Sequence, residues 1–351
     1  MKTPQSEPPI AASPPVTAKR PTINDVALAA GVAVSTVSRA LSVPGRGNWS
    51  TRERIERVAQ ELNYIPNSRA RAFTSGRTGV VAVLVSEIIN PYYLHILRGI
   101  RRELQAAGYA LLLIDTEESG EVEARMLAKH RSACDGAILT ASRMSDSQLG
   151  DVAADMPIVA INRVARGMPS VVIDSAGGID QALEHLVSLG HERVLYVTGP
   201  RSSWSNERRW RAMRVTAARL GIEVSRTAPF ASDPAAGAGA AEALLNSGCT
   251  AAVAFNDLLA IGILERLRER GVRVPEELSV VGFDNIFGAD FCSPPLTTLA
   301  SPIEDAGRVA ASLLLSGFTP LGLKSPPRSV LLPTHLIVRA STGPAPKGKN
   351  P

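Results

Sequence analysis

Two sets of side chains in this chain have the types and spacing to act on a partner. The first is Ser35, Thr36, Ser38 and Arg39, a polar stripe within the short stretch Val34–Leu41. Hydroxyls suit phosphate oxygens, and a guanidinium can pair two-pronged with a guanine edge. The second set is scattered. Asn90-Pro-Tyr-Tyr93, Asn162-Arg163, Asn206-Glu-Arg-Arg209, Phe255-Asn-Asp257 and Gly282-Phe-Asp284 each follow a β-branched run or open a helical one. Taken singly, each reads as a turn or a cap. Together they offer guanidinium, amide, carboxylate and aromatic groups. Such a set suits a polyhydroxylated or heteroatom-ringed small molecule.

The first set needs helices to present it. Thr22 with Asp25 three residues on forms a capping box. Ile23, Val26, Ala27 and Ala30 then share one face. Gly31 interrupts after two turns, and a second helix carries Val37, Ala40 and Leu41 inward. Ser42–Gly47, with Pro44 and Gly45, reads as a loop. A third helix follows, with Ile55, Val58, Ala59 and Leu62 at helical spacing, capped by Asn48 or by Ser50 with Glu53. Two helices across a tight glycine turn make the helix-turn-helix pattern, in which the first helix crosses the phosphates and the second enters the major groove. The same spacing also fits an ordinary αα-hairpin.

The second set needs a different scaffold. From Gly79 onward, short β-branched runs alternate with amphipathic helices. Candidate strands are Val80–Val85, Ala110–Ile114, Gly136–Thr140, Ile158–Ile161, Arg193–Thr198, Ala251–Phe255 and Ser279–Phe283. Helical stretches between them include Leu94–Ala107, Gly178–Leu189, Asn206–Leu220 and Leu258–Arg270. This alternation predicts doubly wound parallel sheets with helices on both faces. About 260 residues is long for one such sheet, which predicts two side by side. Ligands in such folds bind beyond the carboxyl ends of the strands.

Charge separates the two parts. Residues 19–77 hold ten Lys or Arg against four acidic residues, a net +6, while the chain from residue 78 is near neutral at −1. A basic head on a neutral body points to a polyanion for the head, or simply to a solvated basic face. No run of about 18 uncharged apolar residues is present, which excludes a transmembrane helix. The Pro-rich start lacks the apolar stretch of a secretory signal. Cys134, Cys249 and Cys292 lie far apart, arguing for a reduced, cytoplasmic setting and against a disulfide framework or a cysteine-based zinc site. No phosphate-binding glycine loop, nucleophile elbow or helix-borne histidine pair occurs, so neither an enzyme nor a cofactor or metal is expected. The C-terminus has no leucine heptad for a coiled-coil tail.

Pro21-Thr-Ile-Asn-Asp-Val-Ala, Ala30-Gly-Val, Ser35-Thr-Val-Ser-Arg-Ala-Leu41, Thr51-Arg-Glu-Arg and Glu61-Leu-Asn-Tyr-Ile-Pro-Asn67 together resemble the DNA-binding head of the LacI/GalR family. The resemblance implies base contacts from Val34, Ser35 and Arg39, with Thr22, Thr36 and Ser38 also on the DNA. Where the family begins its second helix with Ser or Thr, this chain has Ala33. An alanine cap costs about 1 kcal/mol, and one phosphate contact goes with it. The segment Tyr64–Phe73 matches the family's hinge helix, too short to be stable alone. Its DNA contacts fall on Asn67, Arg69, Ala70, Arg71 and Phe73. Phe73 stands where the family has an apolar wedge, normally leucine, that opens a minor-groove base step. The alternative is that Phe73 packs on the body. Arg69 replaces a small apolar residue of the hinge pair, which favours phosphate contact over hinge–hinge packing.

The body is similar to the family's effector domain and to periplasmic sugar-binding proteins, through Asn90-Pro-Tyr-Tyr, His185-Leu-Val-Ser-Leu-Gly-His-Glu-Arg, Ser279-Val-Val-Gly-Phe-Asp-Asn and Pro295-Leu-Thr-Thr. Effector contacts then map to Tyr92, Tyr93, Asn162, Arg209, Asn256 and Asp284, with Phe230 a weaker candidate and Arg208 the alternative register for Arg209. Ser301 stands where many members have glutamine, and Arg209-Trp-Arg-Ala-Met213 where they have Arg-x-x-Gly-Phe. The expected division is a disordered tail (1–20), a helix-turn-helix head (21–64), a hinge and linker (65–78), a body (79–342) and a second tail (343–351). The body splits into 79–174 with 302–332, and 175–301 with 333–342. The resemblance implies a ligand-responsive transcription regulator, a repressor, acting as a homodimer on a pseudopalindromic double-stranded operator under a sugar-like effector. A solute-binding protein, an enzyme on the same sheets, or a regulator whose effector is a protein are the competing readings.

Overall fold

A computed structural model describes residues 21–42, 48–64, 77–319 and 328–346. The expected N-terminal tail, the 42–47 loop save its first residue, and the hinge residues Asn67, Arg69, Ala70, Arg71 and Phe73 lie outside the described residues. The chain divides into two compact units, Met1–Thr78 and Gly79–Pro351.

In the first unit, helices α1 (Ile23–Ala30), α2 (Val34–Ser42) and α3 (Trp49–Glu61) enclose a small core of Val26, Ala27, Ala30, Val37, Ala40, Ile55 and Ala59. The Asp25 carboxylate accepts from both the backbone N–H and the hydroxyl of Thr22, at 2.7 Å each. Gly31 ends α1 at φ +62°, a left-handed conformation that costs glycine nothing. Of the two expected caps for α3, Asn48 is the one used: its side-chain oxygen accepts from Ser50 N–H at 3.1 Å.

The second unit holds two six-stranded sheets. The first contains β1 (Val80–Val85), β2 (Ala110–Asp115), β3 (Gly136–Thr140), β4 (Ile158–Ile161), β5 (Ser170–Ile173) and β11 (Ser329–Leu332), in the order β11-β5-β4-β3-β1-β2. The second contains β6 (Arg193–Val197), β7 (Glu223–Arg226), β8 (Ala251–Ala254), β9 (Ser279–Phe283), β10 (Thr297–Ala300) and β12 (His335–Ile337), in the order β12-β10-β9-β8-β6-β7. Every pairing is parallel except β12 with β10, a departure from the all-parallel expectation. Short connections suffice there, because β12 enters by a direct crossing from β11 and not through a helix.

Central strands are apolar on both faces. Val81, Val83 and Val85 of β1 face one cluster, while Ala82 and Leu84 face another. This is the signature of a sheet covered on both sides. The covering helices are α4 (Pro91–Ala106), α5 (Gly120–His130), α6 (Asp146–Asp155), α7 (Ser175–Ser188), α8 (Trp204–Leu220), α9 (Gly237–Leu245), α10 (Asp257–Glu269) and α11 (Ile303–Gly317). Helices α4 and α11 meet nearly backbone to backbone: a methyl group at Gly99 would collide with the Glu304 carbonyl, and one at Gly307 with that of Ile96.

The chain passes between the sheets three times, at 173–175, 300–303 and 332–335. Of the expected C-terminal tail, residues 343–346 are described. Gly343 N–H donates to the Ser279 hydroxyl at 3.1 Å, its carbonyl lies 3.1 Å from His191 Nε2, and Ala345 N–H donates to the Leu189 carbonyl at 2.8 Å. These bonds draw 343–345 onto the second sheet. The three cysteines are free. Among the described residues no helix is long and apolar enough to cross a membrane, and no group of three His, Cys, Asp or Glu could hold a metal ion.

Candidate functional sites

On α2, Val34, Ser35 and Arg39 are exposed, as a reading face requires. Thr36 and Ser38 are half-buried, so the polar stripe is narrower than expected. They flank the inward pole of the helix at Val37, which is fully buried. The Arg39 Nε donates to the Ser35 carbonyl at 3.2 Å. Thr22 is exposed at the start of α1. The Ala33 carbonyl accepts from the amides of Thr36 and Val37, but its methyl side chain offers no cap.

In the second unit, Tyr92, Tyr93, Asn162, Arg209, Asn256 and Asp284 all line one narrow cleft. They come from five places, the start of α4 (both tyrosines), the second turn of α8 and the residues after β4, β8 and β9, with three side chains from each sheet's half. Parallel strands deliver their carboxyl ends to one side, so residues distant in sequence meet there. Asn256 sits just past β8 and caps α10, accepting from Leu259 N–H at 3.0 Å. Asn162 follows β4 at φ +54°, donates to the Tyr92 hydroxyl at 2.8 Å and accepts from Ile173 N–H at 3.0 Å.

Arg209 is the charged centre. It is 4% exposed, donates to the Phe255 carbonyl and lies 3.6 Å from Asp284. Its guanidinium also sits 3.4 Å from the centre of the Phe283 ring. Helix phase puts Arg209 in the cleft, whereas Arg208 is exposed and stacks on Trp204 at 4.7 Å. Burial pushes the Asp284 carboxyl up to about 7, against the pull of Arg209. Burial likewise raises the Tyr92 hydroxyl, with the Asp284 charge adding to it, and raises Tyr93 to about 12.

Several expected residues lie elsewhere. Asn206 accepts from the Tyr196 hydroxyl and Gly199 N–H, 3.0 Å each, and serves the fold. Arg163 turns to the Met144 carbonyl and to Asp146. Phe230 packs beside the core of the second sheet and does not line the cavity.

Sequence reasoning missed a second charged pair in the same cavity. Glu118 accepts from Arg143 at 3.0 Å and, across the cleft, from the Ser232 hydroxyl at 2.8 Å. Glu118 and Arg143 follow the ends of β2 and β3, so the strand-end rule that found the others could have found them.

Two family models match the chain: bacterial regulatory proteins, lacI family, over residues 22–67, and periplasmic binding protein-like domain, over residues 183–342. The HTH-type transcriptional regulator DegA of Bacillus subtilis is 33% identical over 333 residues, covering 92% of this chain and 98% of that protein. The chain belongs to the lacI family of bacterial regulatory proteins. As a lacI-family member it is a helix-turn-helix transcription regulator with a periplasmic-binding-protein-like body. Its fold is similar to that of the lac repressor dimer bound to operator and an anti-inducer, with a TM-score of 0.82, 26% identity and coverage of 93% of this chain and all of that one. It is also similar to a complex of the regulator CelR with cellobiose, with a TM-score of 0.67, 32% identity and coverage of 92% of this chain and all of that one.

Proposed function

We propose that this lacI-family chain is a repressor. In this reading it works in the cytoplasm as a homodimer on a pseudopalindromic operator, catalyses no reaction, and changes operator affinity when a small, sugar-like molecule binds between its two sheets. The observation that carries the reading is the convergence of Tyr92, Tyr93, Asn162, Arg209, Asn256 and Asp284 on one cleft. Hydrogen-bonding groups and aromatic rings line that cleft from both sheets. Similarity to a cellobiose-bound regulator supports the ligand class, and similarity to an operator-bound dimer supports the assembly.

One head reads one half-site, so a two-fold pair reads a palindrome. Val34, Ser35 and Arg39 are the base readers, Val34 by apolar contact. Thr22, Thr36 and Ser38 anchor on the backbone. Asn67, Arg69, Ala70, Arg71 and Phe73 are assigned to the hinge on sequence alone, as are the boundaries of head, hinge and body. The effector acts only through a difference in its affinity for the two operator-binding states.

Selection of bound duplexes from a random pool, with and without a panel of sugars, tests this reading. The expected result is a two-fold-related half-site whose enrichment changes with one sugar. Failure to bind any duplex at low salt overturns it. Within that assay, Arg39→Ala should cost about 1–3 kcal/mol at a single base position; uniform weakening over all sequences would reduce Arg39 to a phosphate anchor.

A further inference from the structure

Behind the cleft lies a wholly buried carboxylate that the effector reading does not use. Asp257 opens α10, next to the cap Asn256, and is 0% exposed. One of its oxygens accepts the Thr298 hydroxyl at 2.5 Å; the other accepts Ile286 N–H at 2.9 Å. A methyl group at Gly282 would collide with the same carboxylate. Asp257 therefore touches the chain on both sides of Asp284, two residues before it and two after.

Asp284 itself is held at φ +109°, where an L residue pays a steric penalty and glycine does not. Some external restraint must keep it there. Its own N–H donates to the Leu299 carbonyl at 2.8 Å, which fixes one point of the turn. Arg339 holds the following residue through the Asn285 side chain at 2.7 Å. The strand-facing side of the turn rests on Asp257.

The geometry points to Asp257 as a positioning residue: by gripping Gly282 and Ile286 it holds Asp284 in its glycine-like conformation, with the carboxylate on Arg209 and in the cleft. The inference rests on Asp284 being an effector contact. Asp257 never reaches the cavity and acts only through Asp284. The charged and titratable groups around it are Asp284, Arg339 and the Cys292 thiol. Burial, and then the charge of Asp284, push the Asp257 carboxyl up to about 8, with Arg339 pulling the other way.

The test compares Asp284→Gly with Asp284→Ala in three backgrounds: wild type, Asp257→Asn and Asp257→Ala. Both substitutions at 284 remove the carboxylate and deprive Arg209 of the same partner. They differ only in tolerance of positive φ. Urea unfolding of the full-length chain is followed by the fluorescence of Trp204 and Trp210, with Trp49→Phe silencing the third tryptophan. A pinned turn makes the alanine variant less stable than the glycine variant, with midpoints separated on the order of 0.5 M.

That gap is expected in wild type. It should persist with Asp257→Asn, whose amide can still accept from Ile286 and donate to Thr298. It should collapse with Asp257→Ala, where the turn relaxes. The same gap in all three backgrounds overturns the inference, and so does its loss in Asp257→Asn. If Asp257→Ala does not fold, Thr298→Val removes one arm of the grip and should shrink the gap; an unchanged gap counts against the inference. No effector is needed, so this outcome is independent of whether the cleft binds a sugar.

Discussion

The two halves of the body are built on one plan and charged differently. Each sheet runs in the same spatial order, with corresponding strands in corresponding places. Each half gives the cleft an asparagine that caps a helix, Asn90 on α4 and Asn256 on α10. Each also gives one arginine–carboxylate pair. In the first half the pair is Arg143 with Glu118, whose carboxylate side chain is 23% exposed. In the second it is Arg209 with Asp284, 5% and 10% exposed. The two arginines are equally buried, Arg143 at 4% exposed, so the halves differ in how far water reaches the carboxylate of the same motif. That access should decide its energetic weight, because an unpaired charge is costly only where water does not reach it.

Removing each arginine in turn puts the largest strain on that comparison. Arg209→Ala leaves Asp284 buried beside aromatic rings and should destabilise the body by about 3–5 kcal/mol in urea unfolding. Arg143→Ala leaves Glu118 with the Ser232 hydroxyl and with solvent, and should cost about 1 kcal/mol. Equal losses would mean that the two pairs are equivalent and that water access is not the variable.

Titration gives a second handle on the second half. Asp284 and Asp257, both in the second half, are raised by burial to about 7 and about 8. An acid whose folded pKa lies above its unfolded value favours folding at low pH, and that contribution fades as pH rises through the folded value. His185 and His191 are pushed down by burial, so their contribution is present above the ordinary histidine value near 6.5 and is lost below it. Between about pH 6.5 and 8 these two carboxylates therefore contribute a falling slope. Stability should fall across that window, by up to about 1.4 kcal/mol per pH unit for each acid. Asp284→Asn should flatten the fall. A slope unchanged by that substitution would relocate the titrating group.

What the sequence disclosed follows from the same physics. Strands β1, β3, β4 and β9 were legible because two-sided burial demands unbroken apolar runs. The residues directly after them were legible as a site because parallel strands end together. Strand β7, Glu-Val-Ser-Arg, lies at a sheet edge with half-exposed side chains and carries no such signal. Three-residue β12 is too short to show a period. Glu118 and Ala141 line the cleft at positive φ without the glycine or asparagine that would announce it. Ser232 comes from an irregular connection, so its partnership with Glu118 needed coordinates. The head was legible almost throughout, since its cap, glycine turn and helical spacing are all local. The half-buried Thr36 and Ser38 were the exception, because a stripe read from residue type does not say how wide the inward face is.

The smallest expected difference concerns the two caps. The Asn90 side chain accepts from Tyr92 N–H at 3.0 Å. Asn256 makes the equivalent bond and also donates to the Ser232 carbonyl at 3.1 Å. Loss of a cap costs about 1 kcal/mol, and loss of one further buried hydrogen bond about 1 kcal/mol more. Asn256→Ala should therefore lower stability about twice as much as Asn90→Ala. Asn90→Asp and Asn256→Asp separate the contributions, since aspartate keeps the cap in both but has no amide to donate to Ser232. The aspartate variant should recover nearly all of the loss at position 90 and only part of it at 256. Full recovery at both positions would make the caps interchangeable, leaving the charged pairs as the sole asymmetry between the halves.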